Sequence, residues 1–521
     1  MKAMHFIDVN FLYIIPIMLF LGSFFIYSYN LEDQPWHGDE VNYLGWAGNY
    51  IHLIKNGDFN NQCLQSIDNC NLIYHIPAHG ATYSPIRMLL IGIPMGLQNY
   101  DSGDFYNWSC YYFRCFNPHE MPTLHQMAVG RLLSPLFGAL TIVISFVIGK
   151  ILFNRYVGIV ASLLFLFYDI WMWYSRTIMT EVHYIFFSLL SLLLLVYSFK
   201  TEPPKIKYLI LSAVAFGFAL TSKLLSVEFS VLFIGVILIG SLFKRQAGII
   251  VGKKHILKVF LSVFLFFTVA GLSFLLTEPG FYKNPLSQIA VMKSDMDNYN
   301  RDVWYIGYPT LHGIQIFRVI SLFNYILFPS FLEYHVYEPD FKLNDNYGWL
   351  NPPTYSSIAL TVFFFFGFGY LIQKIRKSKD YSSEIFLLIW FISTFIFSLL
   401  MAKDLHLERY LLPLMISDIF IASYGLWNFV KDISNNKTKI AFVIYFIFTH
   451  SVTTLIYWKE VYNSPHTIWT SPLPYGTLQE SFFNPFGFVV NAIFSAFFIL
   501  MVLIRLRKRI AFISTKSQRV K

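Results

Sequence analysis

The 521-residue chain has few charged residues for its length: Asp, Glu, Lys and Arg together make up only 13%. Hydrophobic residues make up 55% of the chain and aromatic residues 19%. A single soluble core of ordinary proportions cannot bury that much apolar surface, so the composition excludes an ordinary soluble globular protein. The sequence also has no internal repeat, no low-complexity tract and no separate soluble domain. Part of the solvent around this chain must be lipid.

Apolar runs of about 20 residues, the length that crosses roughly 30 Å of hydrocarbon, recur along the whole chain. They predict an all-α integral membrane protein with about twelve membrane-spanning helices. The predicted spans are 11–29, 132–149, 156–174, 182–199, 208–221, 224–243, 256–276, 356–372, 385–401, 410–430, 440–458 and 486–504. The predicted divisions are a first anchor (1–29), a long loop (30–121), spans 2–7 (122–276), a second long loop (277–355), spans 8–12 (356–504) and a basic tail (505–521).

The net charge of +9 does not indicate nucleic acid here, because the basic residues sort by side of the membrane. If the first span runs outward, most of the 39 Lys and Arg residues fall in short connections and tails on one side. The long loops of the other side are mainly acidic. This pattern places both ends of the chain in the cytoplasm. The first span follows only Lys2 and lacks a small-x-small site, so we interpret it as a retained anchor rather than a cleaved signal peptide.

The chain has only four cysteines, and all of them lie in the first long loop: Cys63, Cys70, Cys110 and Cys115. None lies in a predicted span or on the cytoplasmic side. We therefore predict two disulfides in an oxidising compartment, with Cys63–Cys70 and Cys110–Cys115 favoured among the three possible pairings.

The two long loops, 30–121 and 277–355, exceed the length of simple connections, and loops of this size usually carry function. Each contains a semi-apolar stretch around a basic residue, Arg87 in the first loop and Arg318 in the second. A full span at either place would invert the positive-inside pattern downstream. We therefore predict interfacial helices over 83–97 and 312–332, and an ordered cap over a third outside segment, 459–485.

Ionisable residues near the hydrocarbon are costly and are functional candidates by default. Many of them map to the outer ends of different predicted spans: Arg131, Asp169, Arg176, Glu181, Lys223, Glu228, Lys403, Asp404, Glu408 and Arg409. Converging helix ends of this kind would form a polar cavity facing the long loops. The alternative is that each side chain reaches the water on its own. Asp418, near the middle of a predicted span, fits neither description.

The first long loop opens with adjacent carboxylates, Asp39 and Glu40, ahead of a helical stretch that extends to about Lys55. Of two neighbouring carboxylates, one can act as a base while the other tunes it, binds a metal or orients a substrate. Acidic residues are also favoured at a helix N-terminus by the helix dipole. The pair alone is therefore compatible with catalysis and with capping.

Several short motifs, in this order and membrane placement, resemble the GT-C glycosyltransferases of the protein O-mannosyltransferase and aminoarabinose transferase type. The motifs are Asp39-Glu40, Tyr83-Ser84-Pro85, Gly130-Arg131-Leu132-Leu133-Ser134, Tyr174-Ser175-Arg176 with Glu181, Leu220-Thr221-Ser222-Lys223, and Glu408-Arg409-Tyr410-Leu411-Leu412-Pro413. The resemblance covers most of the chain. Ser84 departs from the family pattern, in which a charged residue commonly precedes the proline. The outside loops are also too short for the extra sugar-binding domain of the eukaryotic mannosyltransferases, which favours a prokaryotic protein in a plasma membrane.

The resemblance implies a GT-C bundle of transmembrane helices in which Asp39 is the catalytic carboxylate, with Glu40 beside it. It further implies that basic residues at the outer helix ends bind the phosphate of a polyprenyl-linked sugar, a role that fits Arg131, Arg176, Lys223 and Arg409. We expect four further residues to line the substrate pocket: Glu181, Tyr83, Arg87 and His406.

A divalent metal ion is a further possibility, although no cofactor follows firmly from the sequence. His37, His75 and His79, with Glu40, are the candidate ligands, because the spacing of His75 and His79 would place two imidazoles on one helix face. Pro77 interrupts that stretch, so solvated loop histidines are the favoured interpretation.

Together these features predict an inverting enzyme that transfers a single sugar from a polyprenyl-phosphate donor to a hydroxyl of a protein, lipid or glycan outside the cytoplasm. Its partners would be the donor, the acceptor and membrane lipid, and not nucleic acid. A transporter or flippase would instead distribute its charges through the membrane depth and contain inverted repeats. An oligosaccharide ligase or oligosaccharyltransferase of similar architecture is a further alternative.

Overall fold

The structure, a computed structural model, is helical throughout its regular parts over the residues that it describes. The described residues are 2–32, 34, 38–57, 85–98, 122–200, 205–242, 253–278, 282, 290, 355–377, 382–400, 411–431, 438–439, 441–444, 446–448 and 451. Their helices are α1 (Lys2–Ser28), α2 (Gly38–Lys55), α3 (Pro85–Leu97), α4 (Leu124–Arg131), α5 (Leu133–Leu152), α6 (Arg155–Leu166), α7 (Asp169–Tyr174), α8 (Thr180–Lys200), α9 (Ile206–Ser222), the 3-10 helix η1 (Leu224–Glu228), α10 (Phe229–Leu242), α11 (Lys253–Thr277), α12 (Tyr355–Lys377), α13 (Ser382–Leu400) and α14 (Leu412–Lys431).

Four helical stretches are long and apolar enough to cross a membrane: Leu124–Leu152, Thr180–Phe199, Ile256–Thr277 and Leu412–Lys431. Shorter apolar helices of 10–17 residues accompany them: Tyr13–Ser28, Pro85–Leu97, Arg155–Leu166, Ile206–Ser222, Ser226–Ile239 and Ser382–Ser398. The predicted all-helical membrane protein is thus confirmed, while the count of twelve spans stays a prediction. The span 486–504, the helix 312–332, the cap 459–485 and the four cysteines lie outside the described residues.

One predicted span, 156–174, is interrupted. Helix α6 ends at Leu166 and α7 begins at Asp169, with Tyr168 in an extended conformation between them. The carbonyl of Leu166 accepts a hydrogen bond from the Tyr27 hydroxyl at 3.0 Å, and the Tyr168 hydroxyl donates to Met415 Sδ at 2.9 Å. These contacts provide hydrogen-bond partners on α1 and α14 for polar groups at the break. Polar groups at a break within an apolar bundle require such partners.

Small residues allow neighbouring helices of the bundle to approach closely, as association in lipid requires. A Cβ atom added to Gly149 of α5 would lie 2.7 Å from the Cα atom of Gly158 on α6. On α14, a Cβ added to Gly425 would lie 2.5 Å from the backbone nitrogen of Gly367 on α12. The backbones of α12 and α14 therefore touch where these two glycines meet.

Replacing Gly367 by leucine is expected to destabilise the protein by about 1–3 kcal/mol, because the new side chain must push α12 away from the Ile421 backbone. Gly369→Leu is the matched control, since a Cβ at Gly369 meets nothing within 4 Å. Thermal unfolding in detergent should show a lower melting temperature for Gly367→Leu alone. Equal melting temperatures for the two variants would mean that the contact between α12 and α14 tolerates a larger side chain at Gly367.

Helices α2, α3 and α4 pack together beside one end of the bundle around buried residues that include Leu44, Met88, Met127 and Ile178. The predicted helices of the first long loop are confirmed as helices: α3 begins at Pro85, and α2 ends at Lys55, where the sequence placed its end. Their placement at a membrane interface stays a prediction. Because Ile178 belongs to the segment between α7 and α8, this small cluster is joined to the bundle itself.

Candidate functional site

The candidate site lies where α1 ends, α2, α5 and α8 begin, and α9 ends. Hydrogen bonds between residues at these helix termini show that the termini share one end of the bundle. Lys150 and Lys200 lie at the other ends of α5 and α8. The converging charged helix ends that the sequence predicted are therefore present among the described residues.

A buried ion pair between Glu40 and Arg131 forms the centre of this region, with both side chains fully buried. Arg131 donates from Nε to Glu40 Oε1 at 2.8 Å and from Nη2 to Glu40 Oε2 at 2.7 Å. The backbone N–H of Ile178 also donates to Glu40 Oε1, at 2.7 Å. Paired, charge-assisted hydrogen bonds of this kind hold a carboxylate in one orientation. Glu40 therefore fixes the first turn of α2 to α4 and to the segment before α8.

Arg131 and Arg176 both donate to backbone carbonyls just after or within the last turn of α1. Arg131 Nη1 reaches the carbonyls of Leu31 and Gln34 at 2.8 and 3.0 Å. Arg176 Nη1 reaches the carbonyl of Ile26 at 2.7 Å, and its Nη2 reaches that of Tyr29. The last carbonyls of a helix lack partners within the helix and carry partial negative charge, so the guanidinium of Arg176 stabilises this end of α1, and Arg131 holds the segment that follows it.

Gln34 links the two arginines, because its side-chain oxygen accepts a hydrogen bond from Arg176 Nε at 2.8 Å while its carbonyl accepts one from Arg131. Burial, together with the positive charge of Arg131, lowers the pKa of Arg176 to about 9. The guanidinium therefore remains protonated at neutral pH. The predicted phosphate-binding role of these arginines stays a prediction, and their contacts favour a positioning role.

Asp39 lies in the first turn of α2, directly before the anchored Glu40. The structure does not describe the side chain of Asp39. Since Glu40 is held by Arg131 and by Ile178, the backbone of its neighbour is fixed at the same end of the bundle. The predicted catalytic role of Asp39 stays a prediction.

Lys223 and Glu181 form a second ion pair, between the end of α9 and the start of α8. Lys223 Nζ lies 2.6 Å from Glu181 Oε1, and the Thr180 hydroxyl donates to Glu181 Oε2 at 3.0 Å. The side chain of Glu181 is fully buried, whereas that of Lys223 is 18% exposed. Because the side chain of Arg131 is fully buried, Lys223 is the more accessible of these two cations to an incoming anion.

Arg87 is buried on α3, and its guanidinium lies 4.0 Å from the centre of the Tyr43 ring on α2. The sequence predicted Arg87 and Glu181 as pocket residues, and the structure places both at this end of the bundle. The sequence did not predict the roles of Gln34 or of the N–H of Ile178, because such contacts depend on tertiary geometry and leave no pattern in the chain.

Several predicted site residues fall outside the described residues: Arg409, Tyr83, His406, His37, His75 and His79. Their roles stay predictions. Within the part of the chain that the structure describes, no group of three or more His, Cys, Asp or Glu side chains could hold a metal ion.

Residues 111–278 match the family model described as dolichyl-phosphate-mannose-protein mannosyltransferase. The resemblance predicted from the motifs is thereby confirmed over this segment, which contains Arg131, Arg176, Glu181 and Lys223. No curated protein gives a significant match.

Two solved structures match 92% of this chain at low sequence identity. ArnT from Cupriavidus metallidurans, bound to undecaprenyl phosphate, is 12% identical, with 92% of this chain and 76% of that chain covered and a TM-score of 0.47. The oligosaccharyltransferase of Archaeoglobus fulgidus in the apo form is 13% identical, with 92% and 59% covered and a TM-score of 0.49.

Proposed function

We propose that this chain is a membrane glycosyltransferase that moves a single sugar from a polyprenyl-phosphate donor to an acceptor hydroxyl. The match of residues 111–278 to the dolichyl-phosphate-mannose-protein mannosyltransferase model carries this proposal. The matched segment supplies Arg131, Arg176, Glu181 and Lys223. Arg131 contacts Glu40 in the first turn of α2, and Lys223 contacts Glu181 at the start of α8. A carboxylate, an accessible cation and apolar helices then meet in one region, as a lipid-linked donor requires.

The proposed reaction is a direct displacement at the anomeric carbon of the sugar. The acceptor oxygen forms a bond to that carbon on one face while the bond to the phosphate oxygen breaks on the other, so the configuration inverts. Asp39 takes the proton of the acceptor hydroxyl, and polyprenyl phosphate leaves with the electron pair of the broken bond. A general base of this kind contributes typically about 10²–10⁴-fold in rate.

The basic residues of the site divide into two roles in this proposal. Lys223 binds the leaving phosphate, because its side chain is 18% exposed whereas that of Arg131 is fully buried. Arg131 and Arg176 hold the end of α1 and the start of α2, which positions Asp39. Arg409 is a further candidate for the phosphate, and Tyr83, Arg87, His406 and Glu181 for the substrate pocket.

Purified protein in lipid nanodiscs is expected to discharge polyprenyl-phosphate mannose or a related lipid-linked hexose, measured as loss of radiolabelled donor. Replacing Lys223 by methionine together with Glu181→Gln should weaken binding of polyprenyl phosphate about tenfold, since one cation is removed without leaving a buried charge behind. Lys150→Met, at the opposite end of α5, is the control. If donor affinity is equal in all three proteins, Lys223 does not bind the phosphate.

The reaction is proposed to occur outside the cytoplasm, which the distribution of Lys and Arg supports. Single cysteines introduced near Asp104 and Asp345, in a background without native cysteines, should react with an impermeant thiol reagent in intact cells. Cysteines near Ser378 and Asn435 should not react. The opposite labelling would place the site in the cytoplasm.

A further inference from the structure

Glu228 is a buried carboxylate with no role in the reaction proposed above. It is the last residue of η1, the 3-10 helix between Lys223 and α10, and only 1% of its surface is exposed. Neither of its carboxylate oxygens accepts a hydrogen bond from any residue that the structure describes. Burying a carboxylate without hydrogen-bond donors is costly, so a group of this kind calls for a partner that arrives from elsewhere.

The surroundings of Glu228 connect it to the candidate phosphate site. Lys223 is the N-cap residue of η1, the short helix that ends at Glu228, and Lys223 Nζ lies 2.6 Å from Glu181 Oε1. The other oxygen of Glu181 accepts a hydrogen bond from Thr180. Both oxygens of Glu181 therefore already have a partner. Neither oxygen of Glu228 accepts a hydrogen bond from any residue that the structure describes.

The ammonium of Lys223 limits what Glu228 can bind. A second cation placed beside Glu228 would be repelled by Lys223 in a medium of low dielectric constant. Neutral hydroxyl groups are not repelled, and each can donate to a carboxylate oxygen in a charge-assisted hydrogen bond. In a lipid-linked sugar, hydroxyl groups lie within a few bonds of the phosphate. Lys223 can therefore contact the phosphate of such a ligand while Glu228 accepts a hydrogen bond from a sugar hydroxyl.

We infer that Glu228 accepts hydrogen bonds from hydroxyl groups of the donor sugar while Lys223, at the other end of η1, contacts the donor phosphate. This inference rests on the proposed function and names the residue that distinguishes a sugar-bearing lipid from the bare carrier. A site that is built to pair with a substrate hydroxyl rejects analogues lacking that hydroxyl strongly, because its own buried group is then left without a partner. Glu228 is thus a specificity-determining residue of the donor site.

The test compares binding of bare polyprenyl phosphate with binding of polyprenyl-phosphate mannose, glucose, galactose and N-acetylglucosamine in nanodiscs. Wild-type protein should bind at least one sugar-bearing lipid about tenfold more tightly than the bare lipid. Glu228→Gln should lose about tenfold of that preference and keep its affinity for the bare lipid. Glu384→Gln is the matched control, since Glu384 is also a buried glutamate but lies at the start of α13 and accepts a hydrogen bond from Tyr424.

The outcomes separate the inference from the function on which it rests. If wild-type protein binds the sugar-bearing lipid preferentially and Glu228→Gln does so equally well, the inference is overturned and the proposed function stands. If wild-type protein binds none of these lipids, the proposed function itself fails. Should Glu228→Gln melt early, Glu228→Asp keeps the charge but shortens the reach, and a folded Glu228→Asp protein with the full sugar preference would also overturn the inference.

Discussion

Asp39→Asn is expected to lower the transfer rate at least about a hundredfold while leaving folding and donor binding unchanged. The attacking hydroxyl must lose its proton as the new bond forms, and an amide cannot accept that proton. The affinity for polyprenyl-phosphate sugar should be unchanged, because the proposed phosphate contact is made by Lys223. The loss should therefore appear in kcat rather than in KM.

The contacts of Glu40 explain why Asp39 is the better candidate for the base. Both oxygens of Glu40 accept hydrogen bonds from Arg131, and one of them also accepts the N–H of Ile178. Because both of its oxygens are occupied and its side chain is fully buried, Glu40 is poorly placed to contact an acceptor hydroxyl. Asp39 is the adjacent carboxylate, on a backbone that the same contacts hold in place.

The alternative role for Asp39 is structural, as an acidic residue in the first turn of α2. Asparagine separates the two roles, since it can satisfy helix-terminal N–H groups about as well as aspartate but cannot act as a base. Glu32→Gln is the matched control, because Glu32 lies in the same loop and its side chain is 56% exposed beside His125. Near-normal transfer by Asp39→Asn in reconstituted membranes would remove Asp39 from the chemistry.

Local sequence patterns were sufficient to predict most helices near the site. The semi-apolar stretch after Tyr83 became α3, and the stretch up to Lys55 became α2. Apolar runs and flanking charges report these elements because helix formation and membrane insertion depend on local composition. The sequence also predicted that Arg131, Arg176, Glu181 and Lys223 would lie at one end of the bundle, since each occurs at the same end of its span.

The partners of these residues could not be predicted in the same way. Glu40 and Arg131 are 91 residues apart, and nothing in either local sequence specifies the other. Arg176 reaches backbone carbonyls of α1, which every residue possesses and which therefore leave no signature. The contact of the Tyr27 hydroxyl with the carbonyl of Leu166, at the break between α6 and α7, is equally invisible in a hydropathy pattern. Such contacts follow from how the helices pack.

The Glu40–Arg131 pair gives the second large expected effect, on stability. Removing one member of a buried ion pair leaves an uncompensated charge and typically costs about 3–5 kcal/mol. Glu40→Gln is expected to fall at the lower end of that range, because the amide can still accept the N–H of Ile178. Arg131→Met is expected to lower the free energy of unfolding by more, since it also removes the hydrogen bonds to the carbonyls of Leu31 and Gln34.

The double variant, Glu40→Gln with Arg131→Met, tests whether the two residues act as one unit. It leaves no buried charge of this pair uncompensated, so its loss of unfolding free energy should be smaller than the sum of the single losses by about 0.5–3 kcal/mol. Denaturant unfolding in detergent supplies the three values. The exposed Glu32–His125 pair, at 3.2 Å, is the control, and Glu32→Gln should change stability by less than about 0.5 kcal/mol. Strictly additive losses at Glu40 and Arg131 would show that they stabilise the fold independently, and the ion pair would then no longer explain how Asp39 is positioned.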